Sequence, residues 1–173
     1  MNASANPRSR KRATGQPDHS TTLLVRDTCL CLHAQRAARA LARRFDLALD
    51  PVGLTSGQFS LLMSLNRPVP PKMGEVAALL AMDRTTLTAN LKPLERRGLV
   101  EASLDPADRR ARRLRLTSAG RRTLARALPI WHRVHGEIEA GLSDPDRLRA
   151  GLVLLSGIDD RSREGRGGRI AAG

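Results

Sequence analysis

The 173-residue chain reads as a mainly α-helical domain with one small β-hairpin. Two observations predict this. Apolar residues recur at steps of three or four over most of residues 21–160, the period of a helix with one buried face. Within that span, Arg113-Leu114-Arg115-Leu116 alternates strictly instead, the period of a half-buried strand. The predicted order is helix, helix, helix-turn-helix, hairpin, long helix, helix: a winged helix-turn-helix flanked by a helical dimerisation region.

Leu30, Ala34, Ala37, Leu41, Phe45 and Ala48 form one stripe of a long first helix over residues 21–49, which Asp50, Pro51 and Gly53 end. Thr55 with Gln58 is a capping box that opens a second helix. Phe59, Leu62 and Met63 are its inner face, and Pro68, Pro70 and Pro71 are its stop. A short helix follows from about Met73 to Ala81, with Val76, Leu79 and Leu80 inside. Asp83 caps the next, whose inner residues are Leu87, Leu91 and Leu94; Pro93 should kink it and Gly98 ends it. Leu99–Ser103 and Arg112–Leu116 then pair across a charged tip, Asp105-Pro106-Ala107-Asp108. Thr117 caps a long helix carrying Leu124, Leu128, Trp131, Val134, Ile138 and Leu142. Ser143, with Pro145 and Asp146, starts a last helix with Leu148, Leu152 and Leu155 on one face.

Thirty Lys and Arg against seventeen Asp and Glu leave a net charge of +13, most of it from arginine. The excess is concentrated: residues 72–126 hold thirteen basic and six acidic side chains (+7), whereas residues 127–160 hold three and six (−3). Two further basic segments, around Arg8–Arg12 and Arg161–Arg169, are expected to be disordered tails. With no apolar run of membrane-spanning length and no signal-like apolar stretch, the expected setting is cytoplasmic. Two cysteines form no disulfide framework and are expected as thiols.

A helix-turn-helix lays its second helix in the major groove with the N-terminal residues facing base edges. Here those residues are Arg84, Thr85, Thr86, Thr88 and Asn90. Arg pairs bidentately with guanine and Asn with adenine, while a Thr methyl meets the thymine methyl. The hairpin puts Arg109, Arg110, Arg112, Arg113 and Arg115 within seven residues, a wing able to follow phosphates or enter a narrow minor groove. The site expected from these residues comprises Arg84, Thr85, Thr86, Thr88, Asn90, Arg109, Arg110 and Arg112, with Asp105 and Asp108 holding the turn and orienting arginines.

The wing Asp105-Pro106-Ala107-Asp108-Arg109-Arg110, followed by Leu114, Leu116, Thr117 and Gly120, resembles the D-x-x-D-x-R and L-T-x-x-G motifs of the MarR family of bacterial regulators. Leu54-Thr55 with Gln58-Phe59 and Leu61-Leu62 is similar to the family's second helix, and Leu94–Val100 to the end of its recognition helix. The resemblance spans roughly residues 21–160. It implies an intertwined homodimer whose base is built from helices in about 21–50 and 118–160, and a DNA-binding lobe over about 54–117 that reads a pseudo-palindromic operator. It also places Arg84, Thr85, Thr86 and Thr88 at the family's recognition-helix contacts and Arg110 at its wing arginine.

Cys29, Cys31 and His33 form a second constellation. In one continuous helix Cys29 and His33 share a face, while Cys31 points elsewhere, two residues turning a helix by about 200°. Arg26 and His33 lie near enough in sequence to favour a Cys29 thiolate, the form peroxides attack. The resemblance extends to family members that sense hydroperoxides with a cysteine near this position supported by tyrosine hydroxyls, and this chain has no tyrosine. Packing at a dimer interface, redox sensing by Cys29 and Cys31, and a metal site from Cys29 and His33 of two subunits, completed by His132 and His135, stay open. Trp131 and two phenylalanines are too few to predict a pocket lined by stacked rings.

The expectation is a sequence-specific, homodimeric repressor, not an enzyme, that needs no metal or cofactor and leaves its operator when a small molecule or an oxidant acts. The rival readings are a non-specific basic nucleic-acid-binding protein and a cysteine-dependent enzyme using Cys29 and His33. Domain bounds are a basic tail over 1–20, the winged domain over 21–160 and a second tail over 161–173.

Overall fold

The computed structural model describes residues 17–108 and 110–157; Arg109 and most of both expected tails lie outside the described residues. The chain divides after Ala40 into two units.

The first unit holds α1 (His19–Thr28) and the start of α2 (Leu30–Leu49). Asp18 caps α1, its carboxylate accepting from the Thr21 amide at 2.9 Å, so a helix begins inside the segment expected to be tail. The single long helix expected over 21–49 is two helices. They part at Cys29, whose backbone is extended (φ −72°, ψ 105°). Val25, Asp27, Thr28 and Cys29 are all weak helix formers, and the Thr28 hydroxyl bonds back to the Leu24 carbonyl at 2.7 Å. The chain restarts when the Cys29 carbonyl accepts from the His33 amide at 3.1 Å. No residue of α1 is buried, and α2 buries only Leu49.

In the second unit a 3₁₀ turn (Asp50–Val52) and Gly53, at φ +68°, turn the chain into α3 (Ser56–Ser64). Both halves of the Thr55–Gln58 capping box are formed. The helix ends before the prolines are reached, and Met63, expected inside, is 38 % exposed while Leu61 takes its place in the core. α4 (Met73–Leu79) buries Val76, but Leu79, also expected inside, is 46 % exposed. α5 (Arg84–Arg96) runs through Pro93 without a break and buries Leu87, Leu91 and Leu94. The missing proline amide falls in its last turns, where one lost bond is tolerated.

The hairpin pairs β1 (Val100–Leu104) antiparallel to β2 (Arg112–Leu116), Val100 opposite Leu116 and Ala102 opposite Leu114. Leu114 and Leu116 face the core as their alternation requires. Residues 70–72 lie along β2: the Pro71 carbonyl accepts from the Leu114 amide at 3.0 Å and Lys72 bridges Arg113. Thr117 caps α6 (Ser118–Glu139) by accepting from the Gly120 amide at 3.0 Å. Gly120 is required because a Cβ there would meet the Leu99 carbonyl oxygen at 2.1 Å. α6 stops short of Leu142, and Asp144, not Ser143, caps α7 (Pro145–Leu155), none of whose residues is buried. The core is a leucine cluster that joins Leu54, Phe59 and Leu62 to Leu87, Leu94, Leu114 and Leu124.

Candidate nucleic-acid interface

Asp83 starts the second helix of the helix-turn-helix. Its carboxylate accepts from the Thr86 amide at 2.8 Å and the Thr86 hydroxyl at 2.7 Å, which hold it below the ordinary carboxyl value, the amide contributing most. Its burial pattern follows from the sequence: Leu87, Leu91 and Leu94 point in, so Arg84, Thr85, Thr86 and Thr88 point out. Two of the hydroxyls are committed locally, Thr86 to Asp83 and Thr88 to the Arg84 carbonyl at 2.7 Å, leaving the methyl groups as their outward chemistry. Asn90 is half-buried and donates to the Thr86 carbonyl at 3.1 Å, so its amide is turned back along the helix. Arg84, Thr85, Thr88, Ala89 and Lys92 line a shallow concavity of about 320 Å³. Lys92 was not among the residues expected from sequence, although 84, 88 and 92 share one helical face.

Among the wing residues, Arg110 and Arg112 are exposed, and neither forms an ion pair among the described residues; Arg109 lies outside them. Arg113 and Arg115, which the sequence groups with them, are placed differently. Arg115 pairs with Glu101 across the hairpin, and half-buried Arg113 donates to the Pro70 carbonyl at 2.9 Å. For Arg113 the cause is Asp105. It is 1 % exposed at the base of the wing, and its Oδ1 accepts from the Ala107 amide at 2.9 Å. Oδ2 has no partner in hydrogen-bond geometry but stands 3.0 Å from Arg113 and 3.3 Å from Lys72 as ion pairs. The Ala107 amide, and then the two cations, hold this carboxyl below its ordinary value against the opposing effect of burial. Asp108 closes the tip, accepting from the Arg110 amide at 3.0 Å. The two aspartates thus organise the turn, as expected, and Asp105 also ties the wing to the entrance of α4.

Cys29 is half-buried at the break before α2 and Cys31 is exposed. The helical argument separating them by 200° does not hold, because Cys29 is not helical. Its Sγ lies 3.4 Å from the Leu32 amide. The two expected cationic neighbours are engaged elsewhere: Arg26 grips Asp27 at 2.6 and 2.8 Å, and His33 Nδ1 meets the Cys29 carbonyl at 2.9 Å.

The expectation about aromatic rings is overturned. Phe59 and Trp131 stack with centroids 6.3 Å apart, and His135 stacks on Trp131 at 4.5 Å with His132 edge-on at 5.0 Å. They stand beside a cavity of about 550 Å³. Few rings suffice when folding brings them together. Among the described residues no group of three or more metal-ligating side chains is assembled, and no helix is long and apolar enough to cross a membrane.

Residues 52–111 match the family model described as MarR family. The transcriptional activatory protein BadR of Rhodopseudomonas palustris is 30 % identical over 143 residues, 79 % of this chain and 82 % of BadR. The DNA-bound crystal structure of the Mycobacterium tuberculosis transcriptional regulator MosR is 38 % identical over 78 % of this chain and 98 % of that one, with a TM-score of 0.70. The transcriptional repressor CouR bound to a 23-mer DNA duplex is 34 % identical over 78 % of this chain and 94 % of that one, with a TM-score of 0.64.

Proposed function

Because the chain belongs to the MarR family of winged-helix transcriptional regulators, we propose that it is a homodimeric repressor that binds a pseudo-palindromic operator and leaves it in response to a small ligand or thiol oxidation. The observation that carries this reading is the joint exposure of Arg84 at the start of α5 and Arg110 on the wing, which Asp105 and Lys72 tie to the entrance of α4. Arg84 supplies a bidentate base contact, Thr85 and Thr88 offer methyl groups, and Arg110 and Arg112, with Arg109, hold phosphate or the minor groove. Asn90 serves as a reader only if its amide swings away from Thr86. Lys92 adds a phosphate contact one turn further along.

Dimerisation rests on apolar surface left uncovered within one chain: Leu24 and Leu30 on α1 and α2, and Leu152, Leu154 and Leu155 on α7, all at least 47 % exposed. Two copies then present two α5 helices to major grooves about one DNA turn apart. Helices in about 21–50 and 118–160 form the dimer base and residues 54–117 the reading lobe. BadR is described as activatory and CouR as a repressor, so the sign of regulation needs its own assay.

Selection of bound sequences from random double-stranded DNA tests the proposal. A two-fold symmetric consensus with half-sites about 10 base pairs apart is expected. Binding without a consensus would favour the non-specific basic protein instead. Operator release by hydroperoxide in wild type but not in Cys29→Ser or Cys31→Ser would identify the oxidisable thiol; a wild-type protein that keeps its operator through oxidation would leave a small ligand as the effector.

A further inference from the structure

We propose that Arg97 is a positioning residue for DNA reading: by clamping the C-terminal end of α5 to the corner that closes α2, it fixes the tilt of α5 and so the half-site spacing the protein accepts. This rests on the regulatory reading above and assigns a residue that sets its operator geometry. Gly53 makes the clamp possible. Its left-handed backbone, φ +68°, ends the 3₁₀ turn, with the Gly53 amide donating to the Asp50 carbonyl at 2.8 Å and the Leu54 amide donating to the Leu49 carbonyl at 3.3 Å. The Gly53 carbonyl is turned toward α5, where it accepts from Arg97 Nη1 at 2.5 Å. A Cβ on residue 53 would stand 3.1 Å from Arg97 Nη2, so the guanidinium fork lies against the glycine itself.

The end of α5 is also held from a second side. The Thr117 hydroxyl donates to the Gly98 carbonyl at 2.7 Å, the Thr117 amide donates to the Leu99 carbonyl at 3.1 Å, and Gly120 packs on that same carbonyl. Leu49, Leu54, Leu94, Leu99 and Leu124 share the buried cluster behind these bonds. Thr117 caps α6 and Gly120 permits its close approach, so changes at either disturb the fold. Arg97 has no such second duty: it is exposed, and its side chain makes this one hydrogen bond and no ion pair among the described residues. Water competes for both partners, so the bond adds little to folding. A planar fork set on a fixed carbonyl is suited instead to orienting the end of a helix.

Small tilts of α5 have large consequences at its reading end. From Arg97 back to Arg84 the helix is about 20 Å long at about 1.5 Å per residue. A tilt of about 10° about the clamped end therefore moves Arg84 by about 3 Å, close to the rise of one base pair, about 3.4 Å. In a two-fold dimer the two displacements oppose one another along the DNA, so the mismatch doubles. The clamp thus separates operators that carry the same half-sites at different distances, a discrimination that base and phosphate contacts within one half-site do not supply.

Full-length wild type, Arg97→Ala and Arg96→Ala are titrated against the selected operator, the same operator with one base pair inserted between its half-sites, and a single half-site. Arg96 is the charge control: it is the exposed neighbour, carries the same charge, and makes no side-chain hydrogen bond among the described residues. Wild type and Arg96→Ala should prefer the native spacing by about ten-fold or more, whereas Arg97→Ala should narrow that ratio to about two-fold and keep single half-site affinity within about two-fold of wild type. Its helix content by circular dichroism should equal that of wild type. An unchanged spacing ratio in Arg97→Ala, an equal narrowing in Arg96→Ala, or a half-site loss as large as the operator loss would overturn the proposal. So would a wild type that binds both spacings alike, or an Arg97→Ala chain that loses helix content, which would make Arg97 a folding residue. Failure of the wild type to bind any selected DNA, or a consensus without two-fold symmetry, would instead defeat the regulatory reading itself.

Discussion

Leu87, Leu91 and Leu94 on α5 and Leu148, Leu152 and Leu155 on α7 have the same helical spacing, yet the first three are at most 3 % exposed and the second three are 47–60 % exposed. Periodicity defines an apolar face; it does not say what covers it. On α5 the cover comes from the same chain, through α3, α4 and β1. On α7 the face stays exposed among the described residues, and the proposed homodimer would supply the cover. The reading lobe should therefore owe its stability to its own packing, and the terminal helices should owe theirs to association.

Truncating the two sets should separate these contributions. Leu87→Ala, at a fully buried site, should lower the unfolding free energy of the lobe by about 2–5 kcal/mol. Leu152→Ala should leave the lobe within about 0.5 kcal/mol and raise the dimer dissociation constant instead. Denaturant melts at several protein concentrations, with sedimentation of the same samples, distinguish the outcomes; equal losses from both substitutions would remove the distinction. Gly120→Ala forces a Cβ into the Leu99 carbonyl and should cost about 3 kcal/mol, all of it on the lobe side.

Acid should act on the lobe through Asp105. Its folded carboxyl titrates below the ordinary value of 3.8, so the stabilisation it gives is complete at neutral pH and disappears as the pH falls through that lowered value. Asp105→Asn should imitate the acid form at pH 7. Operator affinity should fall while helix content by circular dichroism stays constant, because the wing loosens from Lys72, and its turn from Arg113, without unfolding the core. The smallest effect is expected at Ala81, where Ala81→Gly relieves the left-handed backbone and should gain about 0.5 kcal/mol after the added freedom of the unfolded chain is subtracted.

Where structure is local, the sequence could be read directly. The Thr55–Gln58 box, the Asp83 and Thr117 caps and the alternation at Leu114 and Leu116 each depend on residues within four positions, and each stands as expected. The break at Cys29 was missed because it comes from several weak propensities added together, which the stripe through Leu30 concealed. Arg113 was grouped with the wing's exposed arginines because a buried Asp105 and the neighbouring Pro70–Lys72 segment are visible only in three dimensions. The ring cluster was missed for the same reason: Phe59 and Trp131 are far apart in sequence and adjacent in space. Lys92 could have been found, since it repeats the spacing of Arg84 and Thr88.

The central claim is that α5 reads bases while the wing holds phosphate. It is tested most directly by measuring the affinities of wild type, Arg84→Ala and Arg110→Ala for selected operator and for scrambled DNA across a series of salt concentrations. Arg84→Ala should lose about 1–3 kcal/mol per half-site on operator, relax preference at one base position, and keep the salt slope. Arg110→Ala should weaken binding to both DNAs alike and flatten the salt slope. If both variants retain wild-type affinity and salt slope, or if Arg84→Ala weakens both DNAs equally, α5 and the wing do not divide the work as described.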